Sequence, residues 1–504
     1  MWMLILLFLS LILAFYFFLT SNYGYWKKRG VPHPPISIFF GNLKESVFIK
    51  KSLAQVYTQM YNAYPHLLYV GFYKIRQPAI LVRDAELLKS VLISEFHSFH
   101  DNDFHIDEKT DPMFGKNPFV LKGDRWKVAR NQLIPCFTTK KVKSMFPLIE
   151  EVGKKIVAYL NRTPEAWGTE GLETKELAAK FTTDAVATCA FGLDGRAFED
   201  PNSEFREIGR KLLTPSLMLA LTHLCIMLVP SLANVLNAKF FPDEVANYFR
   251  TLVNKTLKYR KENNIVRGDF LDVMKAFKSK LGDDVFSNEE IAAGAAGFYG
   301  DGYETSSITI SYALYELAVH LDIQAKLRSE IDNILAKNGG KLSYEDLVEN
   351  TYLDNVLQET LRKHPPAPIM FKICTKPFKL PSPFGEGKGP DVTIEPGTPV
   401  IIPSYAIHYD DQYYPDPEKF DPDRFSEENK ESRPKCTFLS FGEGPRMCLG
   451  MRFGVTQVKV AIASVIANFE VRLNKKTIVP LEIDPQYFLL KAKGDIWLNY
   501  YKRK

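Results

Sequence analysis

Residues 438–450 read FLSFGEGPRMCLG, one cysteine, Cys448, set among Gly442, Gly444 and Gly450 directly ahead of an apolar-periodic segment. Two motifs can be tested on this stretch, and both fail. A dinucleotide fingerprint G-x-G-x-x-G needs glycine at 447, where Met447 stands; a nucleophile elbow around Ser440 needs glycine at 438, where Phe438 stands. Gly300 and Gly302 also fail as a fingerprint, because Thr305 holds the last position, and the chain has no P-loop and no H-E-x-x-H. What remains is a lone thiol in a glycine-rich loop before a helix. That arrangement suits a thiolate metal ligand. Glycines let backbone N–H groups approach sulfur, and the following helix N-terminus adds positive potential that lowers the thiol pKa. Arg446 adds a cation able to bind a carboxylate. An inert buried cysteine is the competing reading, and the loop alone leaves both open.

Around that loop the composition is ordinary. Of 504 residues, 46% are hydrophobic and 24% charged, with 64 basic against 59 acidic side chains. This excludes a disordered chain, a collagen-like chain, a multi-span membrane protein and a dedicated nucleic-acid binder. The 36 Phe, 24 Tyr and 5 Trp point to a large apolar interior or ligand cavity. Six cysteines without a C-x-x-C pair argue against a disulfide framework and a zinc ribbon. No repeat, linker or low-complexity block divides residues 36–504, which read as one domain.

Residues 1–20 are expected to form an uncleaved membrane signal anchor. Residues 2–19 carry no charge, and Lys27, Lys28 and Arg29 follow the run. At about 1.5 Å per residue the run spans roughly 27 Å, near the thickness of a hydrocarbon core. The basic flank keeps the body cytosolic. Residues 21–35, basic and then proline-rich (Gly30-Val31-Pro32-His33-Pro34-Pro35), are expected to form a stiff extended hinge. The sequons at Asn161 and Asn254 should then stay bare. Leu217–Pro230 is apolar but too short to span; it reads as a buried helix, or as a patch that dips into a bilayer. Helical spacing dominates from about 120 to 365 and includes the capping sequence Ser287-Asn288-Glu289-Glu290. Strand-like pieces fall near 67–83, 391–402 and 483–498. The expectation is a mostly α body with minor β sheets plus one N-terminal transmembrane helix.

Phe441-Gly442-Glu443-Gly444-Pro445-Arg446-Met447-Cys448-Leu449-Gly450 resembles the haem-binding signature of the cytochrome P-450 family, F-x-x-G-x-R-x-C-x-G, with all five fixed positions matched. Glu359-Thr360-Leu361-Arg362 resembles its E-x-x-R, Pro422-Asp423-Arg424-Phe425 its P-E-R-F element, and Trp126-Lys127-Val128-Ala129-Arg130 its W-x-x-x-R helix. The resemblance covers the anchor, hinge and all motifs in order, and is nearest the insect microsomal, xenobiotic-metabolising group. It implies the cytochrome P-450 fold and haem b with Cys448 as axial thiolate, which favours O–O cleavage. Phe441 would lie at the haem, Trp126, Arg130, Arg446 and Lys372 would meet its propionates, and Glu359, Arg362 and Arg424 would form a structural lock. Gly300-Asp301-Gly302-Tyr303-Glu304-Thr305-Ser306 resembles the oxygen-activating helix motif A-G-x-[DE]-T-[ST]. That implies that Thr305 orients protons and that Glu304, with water, supplies them.

Asp301 departs from the family, which usually has Ala there. Facing substrate, it would bias the pocket toward a basic nitrogen; a hydrated relay group or a structural hydrogen bond are the alternatives. Phe298, Ile369 and Met370 are implied pocket residues. His97, His100 and His105 invite a metal reading, but their spacing matches no common site and favours a surface or pocket-rim loop. The implied activity is insertion of one atom of O2 into lipophilic substrates, xenobiotics such as insecticides or plant toxins, or hormones, at the endoplasmic reticulum membrane. Electrons would come from NADPH through a reductase flavoprotein docking on basic residues near Cys448, with cytochrome b5 as a further partner. A haem-thiolate isomerase or dehydratase, and a non-catalytic haem-bound lipophile carrier, are the alternatives.

Overall fold

Apolar residues at helical spacing form helices wherever the chain can bury the resulting stripe, and one helix has no exposed stripe at all. The computed structural model describes residues 1–213, 216–282, 286–430 and 433–503. The helices that matter to the site are α1 (Trp2–Thr20), α2 (Leu53–Ala63), α3 (Gly123–Leu133), α4 (Thr139–Arg162), α5 (Thr174–Val186), α6 (Leu217–Leu228), α7 (Asp243–Glu262), α8 (Asn288–Val319), α9 (Thr351–Lys363) and α10 (Met451–Asn468). Helix α8 starts at a reciprocal capping box between Ser287 and Glu290 and runs unbroken for 32 residues. Buried on nearly every side, it is the axis on which α5, α7 and α10 pack, with α10 packed in turn against α4. Its glycines are contact points. A Cβ at Gly302 would lie 3.3 Å from Val186 of α5.

Three small sheets sit beside the helices. Strands β1 (Tyr69–Lys74), β2 (Gln77–Val82), β3 (Asp101–Asn102), β5 (Met370–Ile373) and β8 (Pro399–Ile402) make a sheet of order β1-β2-β8-β5-β3, in which only β2 and β8 run parallel. Strands β4 (Leu172–Glu173), β10 (Trp497–Lys502) and β9 (Phe469–Leu473) make the second, and β6 (Phe378–Leu380) with β7 (Val392–Ile394) the third. The expected strand at 391–402 is two strands, β7 and β8, of different sheets. The expected strand at 483–498 reduces to one bridge, Ile483 to Ala492, before β10 begins at Trp497. Strand β5 lies among the prolines that follow residue 364, outside the strand-like stretches of the sequence.

Helix α1 is 19 residues long, long and apolar enough to cross a membrane, with no buried residue. Residues 21–35 are bound to the body. Trp26 is fully buried and donates its Nε1–H to the Phe72 carbonyl (2.9 Å), while the Gly71 N–H donates to the Pro32 carbonyl (3.0 Å). Helix α6 is half embedded: Ala220, His223, Ile226, Met227 and Leu228 face inward, and Leu217, Met218 and Leu221 are exposed.

The cysteine loop is positioned by charges buried far from it in sequence. On α9 the Arg362 guanidinium grips the Glu359 carboxylate with two hydrogen bonds (2.7 and 2.9 Å), and neither side chain reaches solvent. The remaining Arg362 donors reach the His408, Pro417 and Lys419 carbonyls, and Glu359 also accepts the Asp421 N–H (2.8 Å). Arg424 stands 3.5 Å from Glu359 and donates to the Asp416 carbonyl. His408 Nε2 accepts the Leu439 N–H (2.9 Å), so its proton sits on Nδ1 and is donated to the Arg362 carbonyl (2.9 Å). Ser440 Oγ donates to the Leu361 carbonyl (2.8 Å). The first residues of the cysteine loop are thus tied to α9 at two points. Glu359→Ala would strand a buried guanidinium, at a cost of about 3–5 kcal/mol. Thermal unfolding should show most of the folded population lost; a variant as stable as wild type would refute the lock.

Candidate functional site

Beyond Ser440 the chain turns sharply at Gly442 and Gly444, both with positive φ. A Cβ at Gly444 would lie 2.1 Å from the Leu92 carbonyl, so no other residue fits the second turn. The Cys448 N–H donates to the Phe441 carbonyl (2.7 Å), closing the loop, and the Gly450 N–H points at the sulfur. Phe441 itself is half-buried beside the core. Cys448 and Asp301 keep accessible surface although protein surrounds both, and the Asp301 charge acts on the Cys448 thiol. Both residues therefore border interior space, close enough for their charges to interact. Burial pushes the thiol up to about 11, with Asp301 adding to the rise. The expected lowering by the helix N-terminus does not prevail. A metal ion's charge would make such a sulfur a thiolate at neutral pH.

One side of the loop is lined by cations. Lys372, on β5, is buried; its ammonium donates to the Asn102 amide oxygen (3.1 Å) and has no carboxylate within ion-pair distance among the described residues. Burial pushes its pKa down to about 7, with Arg446 and Arg130 pushing the same way and Asp101 opposing them. Arg130, on α3, donates to the Met447 carbonyl (2.9 Å). Arg446 lies over the Trp126 ring at 4.1 Å and donates to the carbonyls of His100, Pro118 and Leu121 and to Asp101. Most of its fork therefore holds the 100–121 loop. The expectation of a free carboxylate-binding arginine suits Lys372 better. Three cations around one carboxylate leave this wall short of negative charge. A ligand with a metal at the sulfur and carboxylates at Lys372 would supply both deficits.

The α8 side differs in places from what its sequence implied. The Thr305 hydroxyl donates to the Asp301 carbonyl (2.6 Å), leaving its lone pairs for a second partner. Glu304 is not a free acid. Its carboxylate accepts from the Lys175 ammonium (2.9 Å) and the Tyr487 hydroxyl (2.8 Å). Burial would raise its pKa, but Lys175 and Tyr487 outweigh that and hold it below its ordinary value. Asp301 moves the other way: burial raises it to about 6, against the stabilising Asn117 amide. Asn117 accepts the Phe119 N–H through its oxygen (2.8 Å), which turns its NH2 toward α8. A Cβ at Gly297 would sit 2.8 Å from that nitrogen, so the glycine is what admits the amide.

Phe298, expected on the pocket wall, is enclosed by the rings of Phe137, Phe270 and Phe453 at 4.9–5.4 Å and is spent on packing. Met370 does reach the loop, its sulfur 3.5 Å from where a Cβ on Gly442 would be, and Ile369 beside it is buried. His97, His100 and His105 do not converge; each pairs with a different acid, Glu95, Asp101 and Asp103. Asn117, Lys175, Tyr487 and His408 were not legible as site residues. They meet their partners across 31 to 184 positions of sequence, and no local spacing signals such pairs.

Residues 31–499 match the family model described as Cytochrome P450. Among curated relatives, "Cytochrome P450 6k1" of Blattella germanica is 37% identical across 98% of this chain and 96% of its own length. "Probable cytochrome P450 6a20" of Drosophila melanogaster is 38% identical across 98% of both. "Cytochrome P450 9e2" of Blattella germanica is 34% identical, across 98% and 96%. Likeness of that depth over nearly the whole length, with a cysteine loop built to offer its sulfur inward, places the chain in the cytochrome P450 family of haem-thiolate monooxygenases.

Proposed function

We propose that this enzyme is a membrane-anchored oxygenase of lipophilic small molecules, xenobiotics such as insecticides or plant toxins, or hormones, drawing NADPH electrons through a reductase flavoprotein. The observation that carries this reading is that the Cys448 sulfur and the Asp301 carboxyl of α8 both border interior space within reach of each other's charge. When bound there, haem b supplies a thiolate-ligated iron able to activate O2. Cys448 would ligate its iron, Lys372 and Arg130 would meet its carboxylates, and Trp126, Arg446 and Phe441 would wall the site. Thr305 offers its oxygen to a proton near the reacting atoms. Glu304 serves as an anion that keeps Lys175 and Tyr487 in place behind Thr305, and proton supply through it requires one of those partners to let go. The deficits in charge at Lys372 and Cys448 favour a haem-thiolate site. The first test is the carbon monoxide difference spectrum of the reduced, full-length protein. Wild type should give the band of a thiolate-ligated iron and Cys448→Ser should lose it. A wild type that binds haem without that band overturns the reading.

Asp301 is proposed to select substrates with a basic nitrogen. Its carboxyl has one amide partner, no cation among the described residues, and surface toward the cavity. Asp301→Asn keeps the shape and removes the charge. It should abolish any preference for an amine over its neutral isostere in turnover assays; an unchanged preference sinks the assignment.

Helix α1 is proposed to hold the enzyme in the endoplasmic reticulum membrane with the body in the cytosol. Exposed Lys127, Lys140, Lys435 and Arg452 on the Cys448 side suit a steered reductase dock, which cytochrome b5 would share. Asn161 and Asn254 are both exposed and chemically competent for glycosylation. Protein from eukaryotic cells should nevertheless keep its mass after endoglycosidase treatment; a mass loss would place the body in the lumen.

A further inference from the structure

Helix α10 begins at Met451, directly after the cysteine loop, and one of its side chains hydrogen-bonds to α8 among the described residues: Gln457. This side chain is completely buried. Its amide nitrogen donates to the Gly302 carbonyl (2.9 Å) and to the Ser306 hydroxyl (2.6 Å). A carbonyl can only accept, so the NH2 and not the amide oxygen must face α8. The oxygen, Oε1, is buried with no hydrogen-bond partner among the described residues. Burying an amide with an unpaired oxygen costs stability, and an apolar side chain of the same length would avoid that cost. Packing therefore does not account for a glutamine here; its NH2 does.

Positions 302 and 306 are one turn apart on α8, so the amide clasps both ends of a single turn. Thr305 lies within that turn. Its hydroxyl donates to the Asp301 carbonyl (2.6 Å), the one immediately before the carbonyl that Gln457 takes. Back-bonding of this kind loosens a helix locally. Gly300 and Gly302 loosen it further, since neither has a side chain to restrain its backbone. This stretch of α8 is thus weakly held from within and depends on contacts from outside. Val186 of α5 lies 3.3 Å from where a Cβ on Gly302 would be, but an apolar contact is non-directional and does not fix how the turn is rotated. The two directional bonds from Gln457 do.

We propose that Gln457 is a positioning residue for Thr305: its amide fixes the rotation of the 302–306 turn, and with it the place of the threonine hydroxyl relative to the cysteine loop. The residue acts through Thr305, so the assignment rests on the monooxygenase reading above. Helix α10 carries both the end of the sulfur's loop and the clasp on α8, which makes one rigid element the gauge between sulfur and threonine. A threonine that directs protons to reduced oxygen has to be held at that gauge; misplaced, it lets the oxygen leave as hydrogen peroxide.

The test uses full-length holoenzyme with reductase in phospholipid nanodiscs and compares Gln457→Met, Thr305→Ala and the double variant with wild type. Methionine keeps the length and burial of glutamine and removes the amide. Hydrogen–deuterium exchange, read without turnover, should quicken about fivefold over residues 300–308 in Gln457→Met, the worth of one hydrogen bond, and stay unchanged along α10. With NADPH and no added substrate, each hydrogen peroxide released takes one O2, one NADPH and one proton, so peroxide is read as a fraction of NADPH consumed. That fraction should rise in Gln457→Met toward the Thr305→Ala value, and the double variant should match Thr305→Ala, because both changes disable one device. Unchanged exchange, exchange quickened equally along α10, an unchanged peroxide fraction, or additive fractions in the double variant would each overturn the proposal. A Thr305→Ala fraction equal to wild type would overturn the Thr305 assignment and this inference with it. The carbon monoxide band of the same preparations reports the iron–sulfur bond separately, so any of these failures with an intact band leaves the haem-thiolate reading standing.

Discussion

Glu359 and Arg362 are two opposite charges entirely removed from water, and the placement of the reactive sulfur depends on them. Ions buried in this way repay their desolvation only when every donor and lone pair is used. Here the leftover capacity is taken up by backbone from the 408–421 meander, which has little regular structure of its own to hold it. His408 carries the constraint onward. One ring nitrogen reads the Arg362 carbonyl and the other receives the Leu439 N–H, nine residues before Cys448. Burial and the nearby Arg362 push the His408 pKa down to about 3, so this bridge stays a neutral imidazole with one donor and one acceptor.

Around the sulfur, the protein has put together groups that are uncomfortable without something between them. A thiol raised by burial, a lysine depressed by burial and two neighbouring arginines form a wall with too little negative charge. Across the cavity, Asp301 is likewise raised, whereas Glu304, one turn along, is kept ionised by Lys175 and Tyr487. Two acids three positions apart on one helix are thus shifted in opposite directions, because one faces the cavity and the other faces partners. This division is what separates a residue that can respond to a ligand from one that maintains the framework.

Much of this was legible from local sequence, and what was not has a common cause. The cysteine loop, the E-x-x-R pair, the capping box ahead of α8 and the apolar run of α1 are each decided by residues within a few positions of one another. Glu304 shows the limit. Its motif suggested an acid, but its state is set by Lys175 and Tyr487, 129 and 183 positions away. Phe298 shows the same limit in packing, since its three enclosing rings come from three separate segments. The strand read at 483–498 failed because its alternating residues found a single bridge partner, and pairing belongs to the partner as much as to the strand.

Trp26 sets a practical boundary on the chain. It sits between a membrane-like helix and that helix's basic flank, yet its indole is fully buried against Gly71, where a single added methyl would collide with the ring. Tyr23 joins it, donating to the Ile38 carbonyl at 2.6 Å. Shortening the protein to free it from detergent therefore has to stop ahead of Tyr23. A cut at the proline stretch, the natural place to choose by eye, would remove a plug from the first sheet and leave an apolar hole beneath β1.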